Sequence, residues 1–127
     1  MRIWKRIYLN ISQVGIKYNI ILKYINKVIF YIIVSTNIFK HETERHHIIA
    51  KIHPRAKEAR DIFVKKCRRN INDEKNIANV RTKYHKVMHT KVYFEEVYNL
   101  IGSAYSSGGS VMVINVLGML KDVLEEL

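Results

Sequence analysis

Four of the six histidines in this 127-residue chain fall in two tight groups, His46-His47 and His85 with His89, about forty residues apart. The fold is constrained most by whether it brings these groups together. Adjacent residues of an extended strand point to opposite sides. One imidazole of the first pair can therefore bind a divalent ion while its neighbour faces the other way and activates water. His85 and His89 are four apart, so on a helix, or a tight turn entering one, they project to the same side and can close on an ion held by His46. His41 and His53 read as surface or hydrogen-bonded histidines.

The charge gathers in the same region. The formal net charge is +11, and residues 45–91 hold fourteen Lys and Arg against four Asp and Glu. Residues 92–127 are net acidic, with Lys121 against five carboxylates. A basic surface around a candidate metal site is what a phosphate backbone needs, since steering and affinity both come from phosphate neutralisation. Arg45, Lys51, Arg55 and Arg60 lie near the first histidine pair in sequence and are the candidate nucleic-acid contacts. The preferred polyanion is DNA, with RNA as the other candidate; an acidic membrane face is the remaining option.

The length supports one domain with a modest core. Cys67 is the single cysteine, which excludes an intrachain disulfide or a thiolate zinc knuckle and leaves the compartment open between cytoplasm and secretion. Residues 1–40 carry two near-helical apolar sets, Ile3, Ile7, Ile11, Val14 and Ile21, Ile25, Val28, Ile32, and read as a basic amphipathic helix or a linker preceding a unit at 41–127. The longest apolar run here, Val28 to Val34, falls well short of the roughly eighteen residues that span a bilayer. No signal-peptide pattern is present, because Asn10, Gln13, Lys17 and Asn19 interrupt the apolar stretch. Surface contact with a membrane through residues 1–34 stays open.

Within the second unit the pattern predicts a short strand over 45–51, ended by His53-Pro54 because proline has no N–H for a ladder. A helix follows over 56–67 with Ala59, Ile62, Phe63 and Cys67 on one face, then turn residues 70–74, with Asn76 leading into a second strand over 77–80. A further helix begins at Thr90, whose hydroxyl is placed to cap it, and Tyr93, Phe94, Val97, Leu100 and Ile101 read as its core face up to Gly102. Residues 106–110, Ser-Ser-Gly-Gly-Ser, lack the lysine and the preceding strand of a phosphate loop and read as a turn between helices. Val113, Val116, Leu117, Leu120 and Leu124 mark a last helix.

From Arg45 to about Leu100 the chain resembles the AHH branch of the HNH/endonuclease VII superfamily, nuclease domains often found as the tips of bacterial polymorphic toxins. The resemblance rests on His46-His47-Ile48-Ile49, on Ala59-Arg60, on Ile71-Asn72-Asp73 leading to Asn76, and on His85-Lys86-Val87-Met88-His89-Thr90 followed by Tyr93 and Val97. Ile77 stands where a glycine commonly follows the asparagine. The resemblance implies an α+β fold: a ββα-metal, HNH-like core with an inserted helix and additional N- and C-terminal helices. It implies one divalent metal (Zn, Ni, Mn or Mg) held by His46, His85 and His89, with His47 as general base and Asn76 bracing the segment that presents it. The implied activity is metal-dependent endonucleolytic hydrolysis with low sequence specificity. The implied setting is a bacterial toxin module, delivered or cytoplasmic, neutralised by an acidic immunity protein. Two other readings compete: a non-catalytic nucleic-acid-binding module with a structural metal, and a helical, membrane-associated interaction protein. A free imidazole at His47 separates the first reading from the second, and the four spaced histidines separate it from the third.

Overall fold

The structure, a computed structural model, describes residues 18–34 and 42–127. Ile3, Ile7, Ile11, Val14 and His41 lie outside them. Helix α1 (Tyr18–Val34) comes first, followed by strand β1 (Thr43–His47). A 3₁₀ turn (Pro54–Ala56) leads into α2 (Lys57–Asp61), which continues as a π-helical turn through Ile62–Lys66. A second 3₁₀ turn (Glu74–Asn76) enters strand β2 (Ile77–Arg81). Helix α3 (Thr82–His85) runs into a 3₁₀ turn (Lys86–His89), and α4 (Lys91–Glu126) closes the chain.

The two strands pair antiparallel, Thr43 opposite Arg81 and His47 opposite Ile77. The segment between them carries α2. The first strand therefore starts two residues earlier than the sequence pattern suggested and stops at His47, well before Lys51. Asn76 explains the early stop. Its main-chain carbonyl takes the Ile48 N–H at 2.8 Å, and its side-chain amide takes over the backbone of Ile49, so the apolar run turns inward instead of extending the ladder. Ile48 and Ile49 are fully buried as a result.

The core is built chiefly on α4. Tyr93, Phe94, Val97, Leu100 and Ile101 are buried on its first half, and Val113, Val116, Leu117, Leu120 and Leu124 on its second. Phe63 from the π turn and Val80 from β2 pack into the same cluster. So do Ile25, Val28, Ile29 and Ile32 of α1, so this helix shares the core of the unit that follows it. One stretch of α4 is long and apolar enough, by length and composition alone, to cross a membrane. A third of that stretch is buried in this core, while Val111 on the same helix is exposed.

Gly102 does not end the helix as its position suggested. It stays helical, because the buried neighbours Leu100, Ile101 and Ala104 hold the backbone and a lone glycine costs only about 1 kcal/mol. The break is at Gly109, with φ 67° and ψ −151°, a conformation open essentially to glycine alone. The expected turn over 106–110 is therefore a one-residue kink. Thr90 does sit at the N-cap of α4, but its hydroxyl donates backward to the Val87 carbonyl at 2.8 Å instead of accepting from the new helix.

Candidate metal centre

Strand alternation sorts the residues of β1 onto two sides. Glu44 and His46 face α3 and the first turn of α4, while Arg45 and His47 face the loop before β2. His46 meets His85 and His89 on the first side. Ligand-capable atoms of the three lie within 4.8 Å of one another, and the His85 and His89 Nε2 atoms are 3.0 Å apart. The i, i+4 relation places His85 and His89 together even though the segment is α-helical only to His85 and 3₁₀ from Lys86 to His89.

The hydrogen bonds determine which ring nitrogens remain free. Tyr93 hydroxyl donates to the Ile48 carbonyl at 3.1 Å, so its oxygen can only accept from His46 Nε2, 2.9 Å away. That places the His46 proton on Nε2 and leaves the lone pair on Nδ1. Burial pushes the His46 pKa down from 6.5 to about 3, with the neighbouring His85, His89 and His47 acting in the same direction, so the ring is neutral. Burial also pushes the Tyr93 hydroxyl well up, keeping it a donor. His85 Nδ1 donates to the Glu44 carboxylate, which leaves its Nε2 turned to His89; the same bond holds the Glu44 carboxyl below its usual range. Partial burial lowers the His89 pKa, aided by His85 and His53. Two of the three imidazoles thus have one nitrogen tied to a fixed partner, which leaves the lone pair on the other, the donor arrangement of a metal-binding histidine.

His47 stands apart from this group. Its Nε2 lies 2.9 Å from Asn72 Oδ1, and Asn72 is itself set by an Asn70 turn in which Oδ1 accepts the Asn72 N–H at 2.8 Å. Asn76 is fully buried and spends its amide on three backbone groups. Its Oδ1 accepts from Ile49 N at 2.7 Å, and its Nδ2 donates to Ile49 O at 3.0 Å and Ile71 O at 2.9 Å. It ties the residues after His47 to the loop that carries Asn72 and does not itself reach the cleft.

A cleft of about 470 Å³ opens over the four histidines, with Arg45, Lys51 and Ile52 on its rim. Lys51 is exposed there, and Arg45 is exposed with a loose contact to Glu74 at 3.4 Å. Arg55 is exposed on the 3₁₀ turn and lines the neighbouring groove. Arg60 is not brought to the cleft surface. Its Nη1 donates to the carbonyls of Ala50 at 3.0 Å and His53 at 3.1 Å. His53 joins the rim, with its ring stacked on Phe94 at 4.4 Å and its Nδ1 accepting from Arg55 N.

The sequence reading missed Glu44, Asn72 and the hydroxyl of Tyr93. Glu44 had a signal, since it stands two residues before His46 and so shares its face of the strand. Asn72 and Tyr93 lie 25 and 47 residues from their histidine partners, and only the tertiary fold relates them.

No curated protein and no solved structure matches the chain. A family model does, over residues 36–124: a nuclease family of the HNH/ENDO VII superfamily with conserved AHH. Within the matched range the adjacent histidines are His46 and His47, preceded by Arg45. The two-stranded antiparallel sheet with its helices is a mixed α+β arrangement consistent with an HNH-like fold. With the match covering most of its length, this chain belongs to the AHH nuclease family of the HNH/ENDO VII superfamily.

Proposed function

We propose that this nuclease is a metal-dependent endonuclease of low sequence specificity, with a ββα-metal core formed by β1, β2 and α3. The observation that carries the reading is the division of labour on β1, with His46 turned to His85 and His89 and His47 turned to Asn72. The donor set fits a divalent ion at His46 Nδ1, His85 Nε2 and a His89 nitrogen. Three imidazole nitrogens favour Zn²⁺, Ni²⁺ or Mn²⁺ over Mg²⁺, which prefers oxygen. Bound there, such an ion would polarise the phosphodiester and stabilise the leaving oxygen.

The remaining work falls to the chain's own groups. Arg45, Lys51 and Arg55 hold the phosphates on either side of the scissile bond. Asn72 accepts the His47 Nε2 proton, so His47 Nδ1 carries the lone pair that removes a proton from the attacking water. Asn76 is a positioning residue, fixing both the loop beyond His47 and the loop bearing Asn72. Arg60 acts at one remove, by gripping the segment that carries Lys51.

The test is cleavage of plasmid DNA and of RNA with and without EDTA, beside calorimetric titration of Zn²⁺. His47→Ala should abolish cleavage and keep metal affinity nearly intact, whereas His46→Ala or His89→Ala should weaken both. Loss of Zn²⁺ binding in His47→Ala would overturn the separation of base and ligands. Metal binding with no cleavage by the wild type would leave a binding module with a structural ion. Affinity for duplex DNA should fall by roughly one unit of log K per contacted phosphate for each decade of salt, similarly across unrelated sequences.

The setting we propose is that of a toxin-type module. A small basic nuclease of low sequence specificity attacks the nucleic acid of the cell that makes it, so that cell needs a neutralising partner. The partner should be acidic, because opposed potentials accelerate encounter and fix orientation. Equal growth of cells inducing wild-type and His47→Ala protein at matched levels would remove this setting.

A further inference from the structure

Among the described residues, Ile52 is the most exposed large apolar side chain, at 84%. It stands on the rim of the histidine cleft, between Lys51 and His53. Its segment lacks regular structure but is held on both flanks. Asn76 fixes the backbone of Ile49, and one guanidinium nitrogen of Arg60 binds the carbonyls of Ala50 and His53, the residues that bracket Lys51-Ile52. His53 is held further by its stack on Phe94. The structure thus fixes a two-residue tip, one cation and one aliphatic group, and projects it into solvent beside the phosphate site.

We propose that Ile52 is a wedge that enters a base step of duplex DNA while the backbone of that duplex lies in the cleft. The proposal rests on the reading of the cleft as a phosphodiester site. A side chain on the rim of such a site lies within a nucleotide's reach of the scissile phosphate, where the apolar surfaces on offer are sugars and base faces. The cationic neighbours Lys51, Arg55 and Arg45 match the flanking phosphates. Single strands are gripped by exposed aromatic platforms, which the cleft lacks among its described lining residues, since the His53 ring is already stacked. Aliphatic wedges are the device that part-unstacks a duplex step and kinks it. A rigid tip suits this use because little conformational entropy is lost when it inserts.

The experiment uses His47→Ala protein with Zn²⁺, so that the DNA stays intact, and short duplexes carrying 2-aminopurine at successive positions. Binding should raise the fluorescence as the probe base unstacks. Adding Ile52→Ala should remove that rise and weaken binding by on the order of tenfold, whereas Ile52→Leu should keep both. Unchanged Zn²⁺ titration in the Ile52 variants establishes that the histidine cluster is intact. Bound duplex with no fluorescence rise in the parent, or equal rise and affinity in Ile52→Ala, would overturn the wedge and leave the nuclease reading standing. Failure of the parent to bind DNA, together with a wild type that cleaves nothing, would take down the reading of the cleft itself.

Discussion

The Tyr93 hydroxyl sits between the His46 ring and the Ile48 carbonyl, 2.9 Å from Nε2 and 3.1 Å from the oxygen, and so decides which nitrogen of His46 keeps its lone pair. Tyr93→Phe removes that relay with almost no change of volume. Zn²⁺ affinity should drop roughly tenfold, within the range for partners that orient a ligand. Glu44→Gln should act in the same direction through His85, by replacing a charged acceptor with a neutral one. Calorimetric titration checks both. Unchanged affinity in Tyr93→Phe would mean that packing alone orients His46.

Asn76→Ala should be among the most destabilising single changes. The side chain is fully buried and makes three hydrogen bonds to backbone groups from two different loops. Its removal leaves Ile49 N, Ile49 O and Ile71 O without partners. Each buried orphan costs about 1–3 kcal/mol, so a loss of roughly 3 kcal/mol or more is expected. Urea unfolding monitored by circular dichroism measures it. A loss below about 1 kcal/mol would show that water enters and satisfies these groups.

The sequence pattern placed the two strands to within a few residues. It also brought out the buried faces of α2 and α4 and the pairing of His85 with His89, because these follow from local periodicity and from i, i+4 spacing, whereas His46 joined them through the family resemblance. What it could not place depends on contacts between distant segments. The end of β1 is set by Asn76, 29 residues beyond His47, and the tautomer of His46 by Tyr93 on another element. Arg60 shows the same limit. Spacing marks a cation near the histidines, and only the fold shows that its Nη1 grips the carbonyls of Ala50 and His53. The glycines mislead because composition marks a candidate break without saying which residue takes a positive φ.

Those glycines give a paired prediction. At Gly102 an added Cβ would meet only Tyr98 Cε1, at 3.9 Å, an ordinary contact, and the backbone is helical. Gly102→Ala should stabilise the protein by up to about 1 kcal/mol. Gly109→Ala also has open space for its Cβ but must adopt φ 67° with ψ −151°, so it should destabilise by roughly 1–3 kcal/mol. Thermal melts of the two variants should therefore shift in opposite directions. A stabilised Gly109→Ala would mean that α4 runs straight through the kink.

Acidification of the metal-free protein tests the burial of His46. Its folded pKa is pushed down to about 3 from 6.5, so between these values the unfolded chain binds a proton that the folded one refuses. Above pH 6.5 both states are neutral and the group is indifferent. As the pH falls from 6.5 toward 3, stability declines by about 1.4 kcal/mol per unit from this group, a few kcal/mol over the window. His89 is shifted in the same direction, and Glu44, held below its usual range, adds a loss of the same sign at lower pH. Denaturant unfolding at a series of pH values should show this slope in the metal-free wild type and a flatter one in His46→Gln, whose amide does not titrate. Bound Zn²⁺ should steepen the dependence, because protons then compete for the same imidazoles. Equal slopes for metal-free wild type and His46→Gln would show that His46 is solvated and free to protonate in the folded state.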